Sequence, residues 1–99
     1  MRQGTQRKEI ENMIIETVEE KRERIFDFYK RDLIELTNNN TKPIRFNCIE
    51  YACRFPKINP FEMAKALKND GYNLVFDDSS ISQKENDRKR KAVEKLGKN

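Results

Sequence analysis

Apolar side chains recur at three- and four-residue steps from about Lys8 to Leu36: Ile10, Met13 and Ile14, Val18, Ile25, Phe28 and Tyr29, then Leu33 and Leu36. That is the helical period. Neither Gly nor Pro interrupts it, and the spacing predicts one long helix over residues 8–36. Such a helix is about 43 Å long at 1.5 Å per residue, which is long for so short a chain. Its two charge-rich turns, EEKRER at 19–24, break the stripe. A break there, an end projecting into solvent, or pairing with a second chain would each accommodate it, and pairing is the expectation. The pattern lacks the sustained heptad regularity of a coiled coil. Ile14, Val18, Ile25, Phe28, Tyr29 and Leu33 are the residues expected to meet a partner.

The Asn- and Pro-containing run 37–43 is a connector, because Asn tolerates left-handed geometry and Pro43 disfavours helix at Lys42. A second helix is expected from Ile44 to about Arg54, with Ile44, Cys48, Ile49, Ala52 and Cys53 as its apolar stripe and Phe46 and Tyr51 flanking it. The alternation in IRFNCIEY also suits a strand.

The best-delimited element is NPFEMAKALKNDG, residues 59–71. Asn59 is a good N-cap, Pro60 suits the first helical position, and Gly71 supplies a left-handed stop. Ile58 is placed for a hydrophobic staple to Met63. Residues 73–76 suit one short strand with no evident partner. Ser80 with Gln83, or Ser82 with Glu85, fits a capping box that starts a last helix running to about Leu96. Between Ile81 and Ala92 every residue of that helix is polar. Residues 97–99 read as a tail.

Composition narrows the picture. Ninety-nine residues suggest a single domain, and 35% hydrophobic against 38% charged residues leave only a small core. The fold expected is mainly all-α: a long N-terminal helix over 8–36, then a helix-turn-helix-like unit over 44–96. Nothing reads as a signal peptide or a membrane span, which makes the cytoplasm the expected location. There is no histidine, no glycine-rich phosphate loop and no nucleophile elbow, so no enzymatic activity is expected. Cys48 and Cys53 point roughly 140° apart on a helix and are too few for a zinc site; no metal or cofactor is expected. Asn and Lys enrichment matches an AT-rich genome, such as that of a phage or a low-GC bacterium.

Charge is unevenly spread. Residues 1–50 carry ten basic and ten acidic side chains, and residues 51–99 carry eleven and seven, so the whole net +4 lies in the second half. Its densest run is Arg88-Lys89-Arg90-Lys91. A polar, basic third helix following two compact ones is the order of a DNA-reading helix-turn-helix. On that reading Ser82, Gln83 and Asn86 would meet base edges, while Lys84, Arg88 and Lys89 would meet phosphates, with Arg90 and Lys91 beside them.

The run Ile58 to Leu74, with Leu67-Lys68-Asn69-Asp70-Gly71-Tyr72 at its centre, resembles the second-helix region of arginine-repressor-type winged helix-turn-helix domains. The resemblance spans about residues 44–88 and implies that Ser80, Ile81, Ser82 and Gln83 begin a DNA-contacting helix. The link from Tyr72 to Ser82 is longer than that family shows, Gln83 stands where it carries Arg, and no wing or ligand-binding domain follows. Arginine sensing is therefore not implied. The expected function is a small DNA-binding transcriptional regulator, acting as a homodimer through residues 9–36. DNA is favoured over RNA, since RNA binding with Tyr72 or Phe76 stacking has only charge behind it. The rival is a non-catalytic adaptor or inhibitor, of the sort small mobile elements encode, that grips a host or partner protein through its amphipathic helices.

Overall fold

A computed structural model describes residues 16–96. Its elements in order are α1 (Val18–Glu35), β1 (Ile44–Arg45), α2 (Phe46–Arg54), α3 (Pro60–Asn69), β2 (Leu74–Val75) and α4 (Gln83–Lys95). The mainly helical architecture with a long first helix follows the sequence pattern. Residues 8–15 of the expected first helix, with Ile10, Met13 and Ile14, lie outside the described residues.

Among the described residues the helix expected to run on from residue 8 starts only at Val18: Thr17 is extended and caps α1, its Oγ1 accepting from the Glu20 amide at 3.0 Å, so residues 16 and 17 are not helical. The helix then runs unbroken through 20–24, so the charge-rich turns do not end it. Thr37, fully buried, organises its exit: its Oγ1 donates to the Ile34 carbonyl at 2.7 Å and accepts from the Asn40 amide at 2.9 Å. Asn38, Asn39 and Asn40 all take positive φ, the left-handed region that Asn tolerates.

The helix expected from Ile44 starts instead at Phe46, because Ile44 and Arg45 form a strand. That strand is the partner that 73–76 was not expected to have. β1 and β2 pair in parallel, Ile44 opposite Leu74 and Arg45 opposite Val75. The Ile44 amide donates to the Asn73 carbonyl at 2.9 Å. Two-residue strands are too short to announce themselves by alternation. The α2–α3 hairpin between them supplies the crossover that parallel pairing requires.

α2 and α3 end in the same way. At the end of α3 the Tyr72 amide donates to the Leu67 carbonyl at 3.1 Å and the Gly71 amide to Lys68 at 3.0 Å, with Gly71 at φ +94°. At the end of α2 the Ile58 amide donates to Cys53 at 3.0 Å and the Lys57 amide to Arg54 at 3.3 Å, with Lys57 at φ +57°. Both are Schellman stops, one built on glycine and one on lysine. Asn59 caps α3 as expected, its Oδ1 accepting from the Phe61 amide at 2.9 Å.

α3 is the hub. Its Met63, Ala64 and Leu67 are fully buried, and α1, α2 and α4 all pack on it. Leu33, Ile44, Phe46, Ile49, Cys53 and Val93 complete the core. Phe46, expected at the edge of its stripe, is central: its ring lies 5.1 Å from Phe61 and 5.0 Å from Phe76. No helix among the described residues is long and apolar enough to cross a membrane.

The left-handed Lys57 is a testable feature of this scaffold. Glycine at that position removes the Cβ clash at some entropic cost, so Lys57→Gly is expected to stabilise by roughly 0.5–1 kcal/mol in urea denaturation. An unchanged or lowered midpoint would contradict the α2 stop described here.

Candidate nucleic-acid interface

α4 carries six basic and three acidic residues between Gln83 and Lys95, and only two of its side chains, Asn86 and Val93, are buried. Polar contacts therefore decide which way the helix faces. Ser82 caps it, Oγ accepting from the Glu85 amide at 3.1 Å. Glu85, the expected reciprocal partner in a capping box, pairs instead with Arg88. That hydrogen bond holds the Glu85 carboxyl below the ordinary carboxylate range and raises Arg88.

Asn86 was expected to read bases, but its carboxamide is spent inside the fold. Nδ2 donates to the Asp78 carbonyl at 3.0 Å and Oδ1 accepts from the Asp78 amide at 3.2 Å. One side chain thus satisfies both backbone groups of a linker residue. Lys89, expected on phosphate, also turns inward. Its Nζ sits 3.0 Å from both Glu50 carboxylate oxygens on α2 and 5.7 Å from the centre of the Phe46 ring, with the side chain 15% exposed. Ser80 is folded onto Asp78, its amide and hydroxyl both donating to Oδ1. These bonds hold the Asp78 carboxyl below its usual value.

The inward positions 86, 89 and 93 leave the opposite side of α4 to Lys84, Arg88, Lys91 and Lys95, all exposed. Their spacing of i, i+4, i+7 and i+11 makes one stripe. It spans about 16 Å at 1.5 Å per residue. Lys95 was not among the expected contacts, although its period with the other three was visible in the sequence. Ser82 and Gln83 are exposed at the N-terminal end, Gln83 bonding Asp87 at 3.2 Å. Arg90 faces aside, paired with Asp87 at 3.4 Å and near Glu94 at 4.0 Å.

The expected partner surface divides too. Leu33 is consumed by the core at 2% exposure, because it faces α2 and α3, and is not free for a partner. Ile25 and Tyr29 are half-buried, while Val18 and Phe28 are exposed; Ile14 lies outside the described residues. Leu36, of the same stripe, is 63% exposed, and Tyr51 (73% exposed) and Phe55 (89% exposed), which the sequence pattern does not join to that stripe, are exposed as well. Tyr29, Leu36, Tyr51 and Ala52 line an open groove of about 590 Å³ between α1 and α2, with Asn47 Oδ1 buried and without a hydrogen-bond partner.

Cys48 is exposed and Cys53 buried, and burial pushes the Cys53 thiol up to about 11. Among the described residues no group of three or more His, Cys, Asp or Glu could hold a metal ion. No protein-family model, curated protein or solved structure matches the chain. The likeness to arginine-repressor-type domains thus rests on the run Ile58 to Leu74 alone.

Removing the Asn86 carboxamide leaves the amide of half-buried Asp78 without its partner, and its carbonyl with only the Ile81 amide at 3.4 Å. Asn86→Ala is therefore expected to cost about 1–3 kcal/mol in denaturant unfolding. A loss of only a few tenths would mean that the linker is not clamped there.

Proposed function

We propose that the protein is a small DNA-binding regulator that lays α4 against the duplex. The observation carrying this reading is the four-cation stripe, Lys84, Arg88, Lys91 and Lys95, on the side of α4 opposite its fixed inner face. A helix fits the major groove, which is about 12 Å wide. Its N-terminal end would bring Gln83, with Ser82 beside it, toward base edges, as recognition helices do. The lysines would take phosphates, which position the protein without reading sequence. Arg88 would exchange Glu85 for a phosphate. Ser80, Asn86 and Lys89 have no part in the contact.

The exposed apolar residues of α1 and α2 support a homodimer. α1 packs on α2 and α3, so a partner there leaves the stripe uncovered. Two copies would then present two α4 helices. One observation favours a second reading, the non-catalytic adaptor: Phe28, Tyr51 and Phe55 offer aromatic anchors of the kind that dominate protein interfaces.

Fluorescence anisotropy with a mixed-sequence duplex separates the two. Four phosphate contacts predict a slope of log K against log salt near about −3.6, at roughly 0.9 per neutralised phosphate. A Lys84→Glu, Lys91→Glu double variant should bind at least about tenfold more weakly and lose about half that slope. No binding to duplex or single strand at about 50 mM salt would overturn the DNA reading. A stoichiometric, nuclease-resistant protein partner would then favour the adaptor.

A further inference from the structure

α2 carries an apolar face that its own fold leaves uncovered. Cys48, Tyr51 and Phe55, at i, i+3 and i+7, form one exposed stripe. It lies opposite the buried Phe46, Ile49 and Cys53 on the same helix. The groove of about 590 Å³ joins this stripe to Tyr29 and Leu36 of α1, and among the residues lining it Asp32 alone is charged. α4 lies clear of this face, because Lys89 meets Glu50 and Phe46 on the far side of α2.

The exposed area matches what a small dimer needs. Tyr51, Phe55 and Leu36 are between 63% and 89% exposed. Aromatic side chains offer about 150–250 Å² each, so these three leave roughly 400 Å² of apolar surface on each copy. Patches of that size on a monomer are often functional. Doubled across a two-fold, with Tyr29, Cys48 and the polar rim added, the contact reaches the roughly 1,000 Å² at which specific interfaces begin.

Charge identifies the occupant. Asp32 stands on the α1 side of the face, and Arg54 stands on the last turn of α2, outside the groove. Tyr51, which lines the groove and precedes Arg54 by one turn, separates them. Asp32 and Arg54 are exposed, and neither takes part in an ion pair among the described residues. A wholly apolar partner would leave both charges unmatched, and a partner of one sign would repel one of them. A second copy of this chain matches both. A two-fold axis in the interface, across the line from Asp32 to Arg54, sets each Asp32 opposite the Arg54 of the other copy and closes after two chains.

We propose that two copies dimerise through this face, with Tyr51 and Phe55 of α2 as the seam and two Asp32–Arg54 pairs at its edges. The proposal rests on the homodimer of the function proposed above and gives that homodimer its contact residues; it does not depend on DNA binding.

The test is sedimentation equilibrium of the full chain without DNA. The mass expected is that of two chains, with a dissociation constant in the micromolar range. Phe55→Ser should raise that constant at least about thirtyfold, the loss that a hot spot gives. Asp32→Arg and Arg54→Asp, each alone, should raise it at least about tenfold by setting like charges together. Mixed in equal amounts, the two variants should recover the dimer, because the mixed pair matches both contacts, and that recovery shows each variant to be folded. A mixture no tighter than either variant alone would overturn the seam. A dimer indifferent to Phe55→Ser would overturn it as well, while leaving a homodimer through another face standing. A chain that stays monomeric at about 100 µM would overturn seam and homodimer together, and duplex binding by α4 would survive that result. A monomer that captures a different protein through Tyr51 and Phe55 would replace the seam with the adaptor reading.

Discussion

The setting of α4 about its own axis depends on two polar contacts. Asn86 closes on both backbone groups of Asp78, and Lys89 reaches Glu50 across the ring of Phe46. Val93 is the only fully buried apolar side chain of that helix, and one such contact cannot select a rotation. A hydrogen bond contributes about 0.5–1.5 kcal/mol net, but a buried partner left unmatched costs more. That asymmetry makes polar anchors selective: a rotated α4 would strand Asp78 and Glu50, not merely loosen a contact. Everything said about the outward face follows from this inward one.

The anchors in turn need a rigid frame. α3 supplies it, with Met63, Ala64 and Leu67 in full contact with their neighbours. The β1–β2 pair ties the start of α2 to the segment leaving α3, which brings Phe46 and Phe76 into stacked contact. Arg45 and Asp77, 3.2 Å apart, and Lys30 and Asp70 add links at the surface. Exposed pairs of this kind contribute little by themselves. The parallel pair and the apolar hub keep Asp78 and Glu50 where α4 can find them.

Much of this was legible in the residues. Asn59, Pro60 and Gly71 delimit α3 because caps and stops are local chemistry, and Ser82 opens α4 for the same reason. The three asparagines at 38–40 mark the loop where the chain turns left-handed. The β1–β2 pairing was not legible: two residues meet two others thirty positions away, with no period to betray them. Nor was the inward turn of Asn86 and Lys89. Polar residues in a polar stretch read as solvated, and only their tertiary partners, Asp78 and Glu50, give them a reason to be inside. Leu33 misled in the opposite direction, since an apolar stripe does not say whether its own fold or another chain will cover it.

α4 thus has a fixed inner face and a cationic outer one, and α1 and α2 expose apolar side chains; the proposed function rests on the first of these. Everything turns on the facing of α4, and zero-length carbodiimide cross-linking followed by peptide mass spectrometry tests that most directly. The account predicts an amide between Lys89 and Glu50, whose charged atoms are 3.0 Å apart, and none between Glu50 and Lys84 or Lys91. Cross-links from Glu50 to Lys84 or Lys91 instead would show that α4 faces another way.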